Sequence, residues 1–148
     1  MIDWRQRYLL LAEHVAQWSK DPSTKVGCVL VNSDGIIVGT GYNGFPRGVK
    51  DTPERLLDRP TKYKMTIHAE VNAVLNASAS VKGATAFCTH PPCSSCLGVL
   101  IQAGVIGVIH RPLADPGAGG YRETLEASRA MAEEARFFIK ELGNGLEE

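Results

Sequence analysis

The sequence predicts a three-layer α/β fold, in which helices cover both faces of a central sheet. Apolar patterns of helical and strand period alternate along the chain in the order αββαβαβα. In the second half, a strand, a helix of about ten residues and another strand imply a right-handed parallel crossover. With 148 residues, of which 44% are hydrophobic, the chain can bury one core, so we expect residues 1–148 to form a single domain.

The first third of the chain predicts a helix followed by a hairpin. Apolar side chains recur in steps of three and four over residues 3–19, which is the spacing of a helix. We expect its aromatic residues, among them Trp4 and Trp18, to pack in the core. Apolar runs at 26–31 and 36–40 predict two strands, because a Ser-Asp-Gly turn separates them.

The middle of the chain predicts a long irregular segment and then a helix–strand–helix–strand unit. Residues 41–66 are mostly polar and rich in Gly and Pro, which indicates an irregular and often functional segment. Apolar periodicity predicts helices at 69–79 and 94–103, the second ending before a glycine. Short apolar runs predict strands at 84–88 and 105–110.

The C-terminal part predicts a loop, a helix and one undecided element. Residues 112–120 are rich in Gly and Pro and indicate a loop, and residues 121–135 have helical periodicity. Residues 136–140 fit either an extension of that helix or a last strand. The polar tail at 143–148 predicts a frayed end.

Composition narrows the functional class. Lys and Arg number 16, as do Asp and Glu, so nothing in the charge favours long nucleic acid as a partner. No apolar run approaches the roughly 20 residues of a membrane span, and no secretory signal opens the sequence. We expect a reduced, cytoplasmic setting, in which four cysteines indicate metal binding or catalysis rather than disulfides.

Two short motifs at predicted helix starts bring together the residues of a catalytic metal site. His68 and Glu70 begin the helix at 69–79, and Cys93 and Cys96 begin the helix at 94–103. Catalytic zinc commonly takes three protein ligands and keeps one position for water, whose pKa it lowers to about 7. His68, Cys93 and Cys96 can supply those ligands, and Glu70 is placed to act as general acid and base. This order of motifs is a known signature of zinc deaminases.

Other interpretations of the cysteines stay open at this point. A structural zinc site takes four protein ligands, and the fourth could come from His90, Cys88, Cys28 or His110. Alternatively, the cysteines bind no metal. Glu70 favours the catalytic interpretation, because a structural site has no use for a carboxyl group at that place. We interpret Cys28 and Cys88, which lie inside apolar strand patterns, as small core residues.

Beyond the zinc motifs, the sequence resembles the deoxycytidylate (dCMP) deaminase family of the cytidine-deaminase-like superfamily. The resemblance is carried by four stretches, at 19–27, 41–48, 67–73 and 89–96. It implies a three-layer α/β/α fold with a mixed five-stranded sheet flanked by helices. It also implies hydrolysis of dCMP to dUMP and ammonia, with one catalytic Zn²⁺, which would supply dUMP for dTMP synthesis.

The resemblance also implies substrate contacts. Asn43 would hydrogen-bond the sugar, although it could instead only shape a turn. Ser23 and Lys25 lie where the family gathers its phosphate contacts. Ala69 would lie against the substrate, and Tyr121 would close over the base or the phosphate.

Family members are often hexameric and regulated, which implies a homo-oligomer activated by dCTP with Mg²⁺ and inhibited by dTTP. Tyr42, Gly44 and Arg47 fall in the stretch that resembles the effector-binding part. Many relatives carry a second zinc site in an insertion before the His-Ala-Glu motif. Because residues 49–66 contain neither Cys nor His, we expect one zinc per chain.

Several related functions share the zinc motifs and remain alternatives. A tRNA adenosine deaminase should be basic, whereas this chain has a net charge of zero. A deaminase of free cytidine or guanine would differ in its substrate pocket. Outside enzymes, a zinc-stabilised interaction module would require four protein ligands.

Overall fold

The computed structural model describes residues 2–114 and 121–144, apart from the side chain of Tyr121. Part of the predicted loop at 112–120, the end of the predicted tail and the proposed Tyr121 contact therefore lie outside the described residues. The helices are α1 (Trp4–Ala16), α2 (Pro53–Leu57), α3 (Arg59–Met65), α4 (Ala69–Leu75), α5 (Ser94–Ala103) and α6 (Tyr121–Ala135). The strands are β1 (Gly27–Val31), β2 (Ile37–Tyr42), β3 (Thr85–Cys88), β4 (Gly107–His110) and β5 (Phe138–Glu141).

The strands form one mixed sheet of five in the order β2-β1-β3-β4-β5. Strand β1 pairs antiparallel with both β2 and β3, whereas β3, β4 and β5 run parallel to one another. The β3–α5–β4 unit is therefore the parallel crossover that the sequence predicts. This topology confirms the α/β class and the mixed sheet.

Helices cover the two faces of the sheet and create two core clusters. Because side chains alternate along a strand, Cys28 and Leu30 of β1 pack with α4, α5 and α6, whereas Val29 and Val31 pack with α1 on the other face. This arrangement confirms the predicted three layers. No helix within the described ranges is both long and apolar enough to cross a membrane.

Glycines in the strands allow two helices to lie unusually close to the sheet. A Cβ atom added at Gly41 of β2 would lie 2.3 Å from the Ala73 nitrogen and 2.4 Å from the Ala69 carbonyl oxygen of α4. A Cβ atom at Gly27 of β1 would lie 2.0 Å from the Ala12 carbonyl oxygen of α1. Only glycine permits backbone contacts as close as these. The contact at Gly41 sets how close the start of α4 lies to the sheet.

The C-terminal segment resolves the choice that the sequence left open. Residues 138–141 form strand β5 beside β4, after a left-handed residue at Arg136 with φ 56° has ended the helix. The buried Arg111 guanidinium then donates to the Gln6 side chain at 2.7 Å and to the Gly143 carbonyl at 2.6 Å. This contact ties the end of the described chain to α1.

Two predictions about the local structure are wrong. Trp4 is 63% exposed, because α1 buries the smaller Leu9, Ala12 and Val15 against the sheet. Trp18 is 53% exposed and lies two residues beyond the end of α1. The irregular segment at 41–66 contains the short helices α2 and α3 as well as the end of β2. Helices of five and seven residues are too short to show an apolar period, so the sequence pattern did not reveal them.

Candidate active site

The proposed metal ligands meet where α4 and α5 begin. His68 is the N-cap of α4 and Cys93 the N-cap of α5, and Cys96 lies in the first turn of α5. The His68 Nδ1 atom lies 3.2 Å from the Cys96 Sγ atom and 3.7 Å from the Cys93 Sγ atom. All three ligand atoms lie within 4.8 Å of one another, which is close enough for one ion to bind them together.

The electrostatics of this cluster favour a thiolate, the form that binds metal. Hydrogen bonds from Cys96 and His68 lower the pKa of Cys93 to about 4. The hydrogen bond with Cys93, together with burial, raises the pKa of Cys96. The hydrogen bond with Cys93 also raises the pKa of His68. One nitrogen and two sulfur donors fit zinc, whose binding would displace the remaining thiol proton.

The rival fourth ligands do not join this cluster among the described residues. His90 directs its Nδ1 atom to the Thr89 hydroxyl at 2.8 Å, and His110 uses its Nδ1 atom on the Arg111 carbonyl at 2.7 Å. Cys28 and Cys88 lie fully buried opposite each other in β1 and β3, which confirms them as core residues. The geometry thus favours three protein ligands over the four of a structural site.

Glu70 lies in the first turn of α4, two residues after His68. The residue is 4% exposed and borders the same cavity as His68 and Cys93. Burial raises the pKa of the Glu70 carboxyl above its ordinary value. A raised pKa favours the protonated form of this carboxyl group, which suits a group that must take up a proton and return it.

A cavity of about 280 Å³ opens in front of these groups. We call the part of the cavity bordered by His68, Ala69, Glu70 and Cys93 its inner end, and the part bordered by the 21–26 loop and α3 its outer end. The volume lies close to the lower end of the range for sites that bind small molecules. Of the proposed substrate contacts, Ser23, Asn43 and Ala69 border this cavity.

Asn43 is held by hydrogen bonds to the loop before β1. Its Oδ1 atom accepts from the Val26 N–H at 2.9 Å, and its Nδ2 atom donates to the Thr24 carbonyl at 2.9 Å. These bonds shape the loop before β1. An amide oxygen has a second acceptor position and the Nδ2 group a second hydrogen, so both remain able to contact a ligand in the cavity.

Lys25 is not among the described residues that border the cavity, and its side chain is exposed. The cations at the cavity are instead Arg59 and Lys62 of α3, which the sequence analysis missed. Tyr63, Thr66 and Thr124 border it as well. Charged residues in a polar segment give no pattern of their own, so only the fold reveals this set.

The three residues of the effector-like stretch lie together at a second depression, whose described lining residues differ from those of the cavity. Tyr42, Gly44 and Arg47 border a separate depression of about 480 Å³. The Arg47 guanidinium donates to the Asn76 Oδ1 atom at 2.9 Å across it. The structure therefore brings these residues to one surface.

Comparison with known proteins matches the chain to one family. The sequence model described as the cytidine and deoxycytidylate deaminase zinc-binding region matches residues 2–110. An uncharacterized deaminase of Aliivibrio fischeri is 37% identical over 132 residues, which are 89% of this chain and 88% of that protein. The deoxycytidylate deaminase of Mus musculus is 43% identical over 116 residues, 73% of this chain and 64% of the relative. The chain thus spans just under two thirds of that mammalian protein.

Solved structures give the same result. The dCMP deaminase of cyanophage S-TIM5, in complex with dCMP and dUMP, superimposes with a TM-score of 0.76 and 28% identity. The match covers 93% of this chain and 96% of the phage chain. A tRNA adenosine deaminase superimposes with a TM-score of 0.59 at 18% identity, which shows a shared fold alone.

Proposed function

Because the chain belongs to the cytidine and deoxycytidylate deaminase family, we propose that it hydrolyses dCMP to dUMP and ammonia. The observation that carries this proposal is the buried Glu70 carboxyl beside the His68, Cys93 and Cys96 donor atoms, at the inner end of one cavity. The phage relative whose structure contains dCMP and dUMP supports the choice of substrate. The product would serve dTMP synthesis.

The chain's own groups account for the proton movements of the reaction. Zinc, when held by His68, Cys93 and Cys96, supplies hydroxide at neutral pH by lowering the pKa of a water molecule. Glu70 accepts the proton that this water loses and passes it to N3 of the cytosine ring. The hydroxide oxygen bonds to C4, and Glu70 then moves the proton of the resulting C4 hydroxyl group to the departing 4-amino group. The C4–N bond breaks, a carbonyl group forms at C4, and ammonia leaves.

The cavity positions the nucleotide for that chemistry. Ala69 is fully buried at the first position of α4, and the start of this helix faces the inner end of the cavity, beside Glu70. Asn43 retains hydrogen-bonding capacity for a sugar hydroxyl group. Ser23 offers a hydroxyl donor nearer the rim, and we place Tyr121 as a cover over the bound nucleotide. Lys25, being exposed and outside the cavity lining, remains a weaker candidate than these.

A substrate panel tests the proposed function directly. Purified protein, loaded with zinc, should release ammonia from dCMP faster than from deoxycytidine, cytidine, dCTP, guanine or an adenosine-containing tRNA anticodon stem. If another compound of the panel is deaminated faster, that compound replaces dCMP as the proposed substrate. Inactivity on the whole panel, with zinc bound, would overturn the proposal.

We further propose one zinc per chain, a homo-oligomer of the hexameric kind and a cytoplasmic location. The four cysteines are free, which suits a reducing compartment. The edge strand β5 exposes Phe138 and Ile139 by 43% and 42%, and such apolar edges are commonly covered by another subunit. Elemental analysis should give one zinc per chain, and light scattering should give the subunit number.

We propose the depression at Tyr42, Gly44 and Arg47 as the place where dCTP with Mg²⁺ activates and dTTP inhibits. Arg47 supplies a cation there, and the Asn72 and Asn76 side chains supply polar groups. The substrate panel, repeated with each effector at low dCMP concentration, tests this regulation. If neither dCTP nor dTTP changes the rate, the proposed regulation is refuted.

A further inference from the structure

The one buried side chain of α3 is a lysine at the cavity. Lys62 is 4% exposed as a residue, although lysine is almost never buried without a partner. Its Nζ atom lies 3.1 Å from the Asp21 Oδ1 atom, and the two side chains are 5% and 11% exposed. Both residues border the cavity in front of Glu70. A charged pair is thus held inside the substrate pocket rather than on the surface.

Asp21 joins this lysine to the loop that begins the pocket wall. Its Oδ1 atom accepts from the Ser23 N–H at 2.8 Å and from the Thr24 N–H at 3.0 Å, as well as from Lys62. One carboxylate oxygen therefore fixes both the loop and the ammonium group. The pair spans 41 residues of sequence, so it sets the distance between α3 and the loop.

The charges at this end of the cavity favour an anion. An ammonium group has three donors, and among the described residues Asp21 is the one hydrogen-bond acceptor of Lys62 Nζ. Arg59 adds a second cation at the rim, with its guanidinium 5.7 Å from the Tyr63 ring centre. Among the described residues that border the cavity, the carboxyl groups are Asp21 and Glu70. Glu70 lies at the inner end, so at the outer end Arg59 and Lys62 exceed Asp21 by one positive charge.

We propose that Lys62 determines specificity for the nucleotide over the nucleoside by donating to the 5′-phosphate, with Asp21 as the residue that positions its ammonium group. This inference rests on the proposed function and assigns the phosphate contact to α3 rather than to Lys25. A nucleoside lacks the group that the free lysine donors would bind. It therefore gains nothing from Lys62.

Lys62→Met, assayed with dCMP and with deoxycytidine, tests the assignment. We expect KM for dCMP to rise about 10- to 100-fold, the range of one charge-assisted hydrogen bond, with kcat nearly unchanged. The kcat/KM for deoxycytidine should stay unchanged, because that substrate has no phosphate. A purely structural role would instead lower kcat/KM for both substrates by the same factor, and this result would overturn the proposal.

Lys64→Met is the matched control, since Lys64 is an exposed lysine of the same helix that is absent from the cavity lining. It should leave both substrates unaffected. The double variant Asp21→Asn/Lys62→Met covers the case in which the single variant misfolds, because it leaves no unpaired carboxylate. It should show the same loss restricted to dCMP.

Competition assays test the same assignment if deoxycytidine is deaminated too slowly to measure. The inhibition constant of dUMP should rise about 10- to 100-fold in Lys62→Met, whereas that of deoxyuridine should not change. Equal changes for both inhibitors would refute the role of Lys62. Failure of the wild-type protein to deaminate dCMP would refute the proposed function itself, which keeps the two outcomes apart.

Discussion

The two ends of the substrate cavity are built in different ways. At the inner end, His68, Glu70 and Cys93 lie at helix starts that the sheet holds in place, and each pair of motif residues is close in sequence. At the outer end, Asp21 and Lys62 come from a loop and a short helix and meet across 41 residues. The reacting groups thus depend on rigid local motifs, whereas the phosphate contact that we propose depends on one long-range ion pair.

Removal of a metal ligand should have the largest effect. Cys93→Ala leaves two protein donors, so we expect zinc to be lost and deamination to fall below detection. Thermal stability should fall as well, because metal binding couples to folding. Zinc content and activity of the purified variant are the measurements. Cys28→Ala is the matched control, since it removes a buried thiol that lies outside the donor cluster and should keep its zinc.

The second-largest effect should come from Glu70→Gln, which keeps the side-chain volume and removes the titratable proton. We expect kcat to fall by about 10²- to 10⁴-fold, the usual contribution of a general acid and base. Zinc content and the circular dichroism spectrum should match those of the wild-type protein. A variant with near-normal kcat would show that deamination does not depend on the Glu70 carboxyl group.

Gly41→Ala tests whether the close packing of α4 matters to the inner end. The added Cβ atom meets backbone atoms of Ala69 and Ala73, so α4 must move and the protein should lose about 1–3 kcal/mol of unfolding free energy. Zinc affinity should fall too, because His68 caps this helix. Gly98→Ala in α5, where a Cβ atom meets nothing within 4 Å, is the control and should not destabilise. Urea unfolding measures the change in stability of both variants, and zinc titration measures the change in their zinc affinity.

The smallest expected effect is on the stability that Asp21, at the outer end, contributes at acidic pH. Burial alone would raise the pKa of Asp21, but the Thr24 and Ser23 N–H groups and the Lys62 ammonium hold it below its ordinary value. The unfolded chain therefore takes up this proton at a higher pH than the folded chain. Stability from Asp21 is complete above about pH 4 and is lost as the pH falls further. Between pH 5 and pH 3, Asp21→Asn should lose less unfolding free energy in urea titrations than the wild-type protein does. An equal loss in both proteins would contradict this.

The sequence predicted the inner end well, and the reasons are physical. His68, Glu70, Cys93 and Cys96 stand beside predicted helix starts, and their order matches a known zinc-deaminase signature, so the sequence indicated that they could meet. The layer order and the parallel crossover followed from apolar periods. Lys62 and Arg59 could not be found in this way, because α3 buries no apolar side chain that would mark its inward face. The exposure of Trp4 and Trp18 was also hidden, since their spacing fits a buried helix face.

The contrast between sealed and accessible thiols gives the protein a built-in reporter of metal occupancy. Cys28 and Cys88 are wholly enclosed in the sheet core, and the hydrogen bond with Cys28, together with burial, raises the pKa of Cys88. Cys93 is only half-buried and has a depressed pKa. An alkylating reagent applied to the folded protein would therefore mark Cys93 first, and bound zinc would shield it. Mass spectrometry of the labelled peptide could then measure how much of the enzyme carries its metal directly in a cell extract.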